Sequence, residues 1–216
     1  MTTPEAAPRI SVPGHGAVRV EPDVADVRLG VITIRPTATE ARSAAATTMT
    51  AVLAALRDGG VAGRDLRTNL LSLDAVRDYS DGSQRITGYQ LANAVEATVR
   101  AIEATGALVD AALGAGATSL DGLSFRLDDP TDALAEARRL AVVDARRRAE
   151  TLAAEAGVTL GAVVAIVEGG GGYPPGPPRP MALFRAKAEA DASTPVEAGT
   201  SELSIDVTVD FAIAGG

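Results

Sequence analysis

The chain has 216 residues, 46% hydrophobic and 22% charged, with a formal net charge of −8. That length suits one large domain or two small ones in close contact, and the apolar content excludes wholesale disorder. With no cysteine and a single histidine, His15, disulfide frameworks, thiol chemistry and zinc–thiolate sites are excluded, as are multi-histidine metal centres within one chain. Forty-three residues are alanine, nineteen arginines stand against one lysine, Lys187, and aromatics make up 3%. Elements built from small residues pack closely but offer few rings for stacking bases, and an acidic balance opposes nonspecific attachment to nucleic acid.

Met1 to Pro8 has neither a basic n-region nor an apolar h-region. No stretch reaches the roughly 18 uninterrupted apolar residues of a membrane helix. The expectation is a cytoplasmic protein with a flexible N-terminus over 1–8, or a periplasmic or extracellular one if a leader has been removed.

Residues 9–35 read as short strands, with the alternations Val18, Val20 and Val27, Leu29, Val31 broken at Pro13-Gly14 and Pro22-Asp23. Residues 37–58 predict a helix with Thr37 as N-cap and Glu40 three residues on. Its apolar stripe is Ala41, Ala45, Met49, Val52 and Leu56, and Gly59-Gly60 stops it. Strands over about 66–78 and 85–100 follow around a turn at Ser80-Asp81-Gly82-Ser83, with Leu91, Asn93, Val95, Ala97 and Val99 on one face.

A helix near 101–114 has Ile102, Leu108, Val109 and Leu113 as anchors, and Leu120, Leu123, Phe125 and Leu127 suggest a strand. The longest helix, about 130–156, starts at Pro130, buries Leu134, Ala137, Ala141, Ala145 and Leu152, and ends at Gly157. The apolar run 160–168 predicts a strand buried on both faces. Residues 202–213 alternate, with Ile205, Val207, Val209, Phe211 and Ile213 inward and Asp206, Thr208 and Asp210 outward. Between these two strands lies a Gly/Pro-rich loop or arm, 169–199, in which Met181, Leu183 and Phe184 are apolar anchors suited to a neighbouring subunit.

The order from 23 to 127 is the split-βαβ arrangement, βαββαβ, and 118–213 resembles a second βαββ unit. The fold class is therefore α+β: an antiparallel-rich mixed sheet with helices packed on one face. The domain spans 9–168 and 200–214, with 9–117 and 118–214 as its possible subunits.

Few residues carry chemistry. His15, in Pro13-Gly14-His15-Gly16, reads as a surface turn residue, since no nucleophile or metal partner stands near it in sequence. Neither glycine cluster leads into a helix as a phosphate loop does. The arginines at 138, 139, 146, 147 and 148 offer a basic face, but Glu136, Asp144 and Glu150 lie at pairing distance along the helix. Asp128-Asp129 and Asp78/Asp81 sit at turn or helix-entry positions, where Asp bonds to backbone. No catalytic residue, cofactor-binding residue or metal ligand is assigned.

Taken in order, several short motifs resemble the SIMPL-domain family, the group of YggE-like proteins and the bacterial periplasmic immunogenic protein. They are Ser11-Val12 with Gly14 and Gly16, then Pro22-Asp23-Val24-Ala25, and Gly60-Val61 with Asp65-Leu66 and Thr68. Ile86-Thr87-Gly88-Tyr89-Gln90 with Asn93, Gly114 to Ala117, Leu123-Ser124-Phe125, the alanine-spaced helix and Pro195 complete the set. The resemblance implies an α+β fold that assembles into rings or larger homo-oligomers. It also implies a loose link to oxidative-stress defence, with kinase-linked signalling in animal relatives, and no defined active site.

The leading expectation is a non-enzymatic homo-oligomer of ring, channel-like or cage-like form, tied to oxidative or envelope stress. Its partner is another copy of itself, with nucleic acid unlikely. The interface candidates are Met181, Leu183, Phe184, Ile205, Val207 and Val209, with 202–213 as an edge strand able to pair onward. The alternatives are a hydrolase or peroxide-detoxifying enzyme with an unrecognised site, and an anion- or nucleic-acid-binding module using the 138–148 arginine face.

Overall fold

The computed structural model describes residues 7–79, 84–169 and 194–214. The expected turn at Ser80–Ser83 and the apolar anchors Met181, Leu183 and Phe184 lie outside the described residues. Seven strands and three α-helices run in the order β1 (Arg9–Val20), β2 (Val24–Arg35), α1 (Ala38–Asp58), β3 (Leu66–Asp78), β4 (Arg85–Val99), α2 (Thr105–Gly114), β5 (Ser119–Arg126), α3 (Thr131–Ala156), β6 (Thr159–Glu168) and β7 (Ser201–Ala214). The α+β class is as expected. The antiparallel-rich strands are divided between two sheets, ordered β1-β7-β6 and β3-β4-β2-β5, and every neighbouring pair is antiparallel.

Two compact units result. Among the described residues one holds 7–21, 129–169 and 200–214, and the other 22–79, 84–128 and 194–199. A division between 117 and 118 would part β5 from β2, the strand it pairs with. The βαββ resemblance of 118–213 fails for the same reason. Leu123 and Phe125 of β5 pack on the core of the second unit, and β1 from the start of the chain joins α3, β6 and β7 instead.

In the unit built on Pro22–Asp128, the βαββαβ order is realised as a split βαβ. β4 inserts between β2 and β3, so the crossover through α1 leaves no parallel neighbours. Alternation does the sorting: Ala25, Val27, Leu29 and Val31 of β2, with Val95, Ala97 and Val99 of β4, face α1 and α2. The helix stripe Ala41, Ala45, Met49, Val52 and Leu56 is buried as read from its spacing. Thr37 accepts a hydrogen bond from Glu40 N at 3.3 Å while Glu40 Oε2 accepts from Thr37 N at 3.1 Å, a reciprocal pair that starts the helix. The helix expected near 101–114 opens as a single 3-10 turn, Ile102–Ala104, and of its anchors Leu108 and Val109 are buried while Leu113 is exposed.

In the other unit α3 lies over β1 and β7. Its buried residues are Ala137, Ala141, Ala145, Ala149 and Ala153, one every fourth position, and Leu152, expected inside, is exposed. A four-residue step overshoots a full turn by about 40°, so these alanines form an oblique ridge across the helix, and their small side chains let its backbone approach the sheet. The sheet answers with glycine. A Cβ at Gly14 would strike Ala141 O and come within 2.7 Å of Ala145 Cβ, and one at Gly16 would strike Ala137 O. β1 therefore runs unbroken through Pro13-Gly14-His15-Gly16, where a turn was expected, because these glycines admit the helix backbone. Gly157, at φ 67°, takes the left-handed position after the last turn.

β7, expected at an edge, is the central strand of its sheet. Ile205, Val207 and Val209 are accordingly buried against α3 with Val12 and Phe211, and cannot serve as interface residues. The run 160–168, expected to be buried on both faces, is the edge strand β6.

Candidate functional site: an uncovered sheet edge among paired charges

β6 and β1 are the two edges of the three-stranded sheet, and they are built differently. In an antiparallel pair, alternate N–H groups of an edge strand point away from its neighbour. On β1, Pro13 has no N–H, and the N–H of His15, two residues on, donates to Asp144 Oδ2 on α3 at 3.1 Å. Asp144 is held there by Arg147 at 2.7 Å and Arg148 at 2.8 Å. The His15 N–H bond is the largest influence holding its carboxyl below the usual range. The middle of this edge is closed.

Among the described residues β6 has neither a proline nor a side-chain bond closing its edge, and its register on β7 shifts on either side of Val163. Val163, Val164, Ile166 and Val167 are between 45% and 61% exposed. Val163 and Ile166 pair with Phe211 and Val209, so they lie on the side that α3 covers further along the sheet, and Val167 pairs with Thr208 on the opposite side. The strand is apolar on both sides because α3 sits over β1 and β7 and stops short of it. At its end Glu168 accepts from Arg138 Nε at 3.0 Å, which lowers the carboxyl pKa and raises that of the guanidinium.

A second apolar edge belongs to the four-stranded sheet. Leu70, Leu71 and Leu73 of β3 are 50%, 68% and 47% exposed. Leu71 and Leu73 pair with Asn93 and Leu91 on the helix-bearing side, and Leu70 pairs with Ala94 on the other. Across the bare face, Ile32 and Ile34 of β2 are also exposed. β5, the opposite edge, is short, carries Asp121 and is offset by a register shift against Arg28/Leu29.

Many of the arginines are engaged with carboxylates. Arg138 pairs with Glu168, Arg139 with Glu136, Arg146 with Glu150, and Arg147 and Arg148 with Asp144. The three helical pairings expected from spacing are present, and no arginine of the 138–148 face stands unpaired. Near the end of the four-stranded sheet, Arg100 bridges Asp65 at 3.0 Å and Asp128 at 2.6 Å, and Arg126 bonds Asp26 and Asp128. The Arg100 hydrogen bonds lead in holding both Asp65 and Asp128 below the ordinary carboxylate range. Asp129 Oδ1 accepts from Thr131 N, the helix-entry role expected of it. His15 Nδ1 lies 2.8 Å from Asp206 Oδ1, its register partner on β7. A shallow hollow of about 320 Å³ over Asp26, Arg28, Glu96 and Gly122 to Ser124 is floored by these paired groups. Among the described residues no three metal-binding side chains cluster, and no helix is long and apolar enough to cross a membrane.

Several of the motif residues make contacts within the fold. Asp23 Oδ1, just after Pro22, accepts from Asp128 N at 2.7 Å and ties β2 to the end of β5. Thr68 pairs with Val95, and a Cβ on Gly88 would sit 3.0 Å from Arg35 O. Tyr89 packs on Ala41, Ala45 and Leu91. Asn93 stands on the helix-bearing side between Val31 and Leu71, its Oδ1 buried with no partner among the described residues. Sequence reading missed β3 and β6 as open edges. Leu70-Leu71 and Val163-Val164, doublets that place an apolar side chain on each face of a strand, were the signal for both.

Comparison with known proteins agrees with the motif resemblance. Residues 10–211 match SIMPL, described as a protein of unknown function (DUF541). The chain is 34% identical over 224 residues to the 26 kDa periplasmic immunogenic protein of Brucella melitensis, covering 99% of this chain and 87% of that protein. The protein of the same name from Brucella abortus matches equally. The uncharacterized protein YggE of Escherichia coli is 27% identical over 170 residues, 79% of this chain and 69% of that protein. None of these names states an enzymatic activity. The Brucella proteins are named as periplasmic, and this overturns the expectation of a cytoplasmic protein; the composition of Met1–Pro8 does not decide the compartment.

Proposed function

Because the chain belongs to the SIMPL family, whose matching relatives include proteins named as periplasmic, we propose that it is a non-enzymatic protein of the bacterial periplasm that works as a homo-oligomer. The observation that carries this is the uncovered β6 edge: four branched side chains exposed on both faces of a strand with one unpaired side. Such an edge is a template for a further strand, and soluble proteins blunt or cover it. β1 of the same sheet is closed by Pro13 and the Asp144 bond, and β6 has no such closure among the described residues, which supports β6 as the side that assembly covers. A ring or cage-like assembly, acting in defence of the envelope against stress, fits a chain many of whose arginines are paired internally and which presents apolar strands outward. The arginines of the 138–148 face are each paired with a carboxylate, which disfavours the nucleic-acid reading that relied on them.

Size-exclusion chromatography with light scattering tests the proposal. The protein is expected to elute as an assembly at micromolar concentration. Val164→Lys and Val167→Lys are expected to lower its mass while leaving circular dichroism unchanged, since surface substitutions stay within about 0.5 kcal/mol of the parent stability. A parent protein that is monomeric under these conditions refutes the proposal.

A further inference from the structure

Resting on that reading of self-association, we infer that β6 of one copy pairs with β3 of the next, so that one repeated contact covers both open edges. Each alternative leaves a fault. Pairing β6 with itself leaves Leu70, Leu71 and Leu73 bare on β3. Pairing β3 with itself over its full length about Ser72 sets Arg67 across from Arg77, and like charges directly opposite destabilise a strand pair. The two other edges are less open, since β1 is closed by Pro13 and the Asp144 bond, and β5 is short and carries Asp121.

Charge supports the mixed pairing and selects its direction. Glu168, the one charged residue of β6, is held by Arg138, and Arg67 of β3 is held by Glu96 at 3.1 Å. Antiparallel pairing that brings Glu168 of one copy to Arg67 of the next joins these pairs into a row of alternating sign: Arg138, Glu168, Arg67, Glu96. The same register sets Val164 across from Leu71. Ser72 then stands across from Val163 and Ala165 across from Leu70, so small residues oppose the other member of each apolar doublet. A contact between two different surfaces repeats from copy to copy and closes into a ring when the rotation allows.

The chain has no cysteine, so placed thiols report contacts cleanly. Leu71→Cys, Leu73→Cys and Val164→Cys, all at exposed sites, are prepared separately and assembled alone and in mixtures under mild oxidation. The expected result is a disulfide-linked dimer in a mixture of Val164→Cys with Leu71→Cys or Leu73→Cys, with tenfold less from any variant alone. Dimers from Val164→Cys alone would overturn the inference in favour of β6 pairing with itself, and dimers from Leu71→Cys alone in favour of β3 with itself. Light scattering of the reduced samples separates the two levels. An assembly without mixed dimers defeats this strand pairing only, whereas a monomer defeats self-association as well.

Discussion

Replacing Gly16 by alanine probes why α3 carries alanine at every fourth position. The added methyl would fall inside the radius of Ala137 O and stand 2.5 Å from Ala141 N, and at Gly14 it would stand 2.8 Å from Ala145 N. Ordinary carbon contacts lie at about 3.5–4.0 Å, so the helix must rise by about 1 Å. The obstructing atoms are helix backbone, which no rotamer change moves aside. Lifting α3 parts the buried Ala137, Ala141 and Ala145 from Val12, Val207 and Val209. Overpacking of this kind costs about 1–3 kcal/mol, and a main-chain obstacle places Gly16→Ala near the upper end, at about 3 kcal/mol. In a chain of this size each kcal/mol moves Tm by about 2–4 °C, which gives a fall of roughly 6–12 °C. Thermal melts followed by circular dichroism, at one fixed protein concentration, measure it. Gly63→Ala is the control, because no atom lies within 4 Å of its added methyl. If Gly16→Ala melted within about 2 °C of that control, the close approach of helix and strand would be refuted.

Three further outcomes follow from individual contacts. Thr37→Ala removes the reciprocal cap of α1 and is expected to cost about 1 kcal/mol, seen as a lower urea midpoint at unchanged slope. Asn93→Leu replaces a buried carbonyl oxygen that lacks a partner by a methyl group, and is expected to raise stability by about 1 kcal/mol; a loss would mean that the amide is bonded in solution. Asp65, Asp128, Asp144 and Glu168 all have carboxyl pKa values below the ordinary range, chiefly through hydrogen bonds from Arg100, from the His15 backbone and from Arg138. The unfolded chain then binds protons at higher pH than the folded one, so their stabilisation is complete only above about pH 5 and disappears as pH falls through the folded values. Urea midpoints should decline in that acid range, and Arg100→Gln should flatten the decline; an unchanged acid limb would show that the Arg100 pairs contribute nothing.

What the sequence disclosed depended on how local the cause was. The cap of α1 and its buried stripe were legible because Thr37, Glu40 and residues 41–56 settle them within one helix. The arginine pairs of α3 were legible for the same reason, being three or four residues apart. The split-βαβ order was readable, but β1 could not be assigned to its sheet, because its partner β7 lies almost two hundred residues away. Gly14 and Gly16 were visible as a motif whose purpose needed α3 laid across them. The same distance hid the pairing of the Arg138 guanidinium with Glu168 and the closing of the β1 edge by Asp144.

The misreading of β6 and β7 shares one physical origin. An apolar run with no alternation says that both faces of a strand avoid water, and a clean alternation says that one face does. Neither pattern says what covers the faces, nor whether the strand has one hydrogen-bonded neighbour or two. β7 alternates and is central, because α3 covers one of its faces and the other carries Asp206, Thr208 and Asp210. β6 does not alternate and is an edge, because α3 stops short of it. Within one chain those two facts conflict, since a strand that avoids water on both faces has been left in it. The conflict disappears once the cover is supplied by another copy. On the proposed self-association the run 160–168 is buried in the assembly, whereas in the isolated chain it is a largely exposed edge strand.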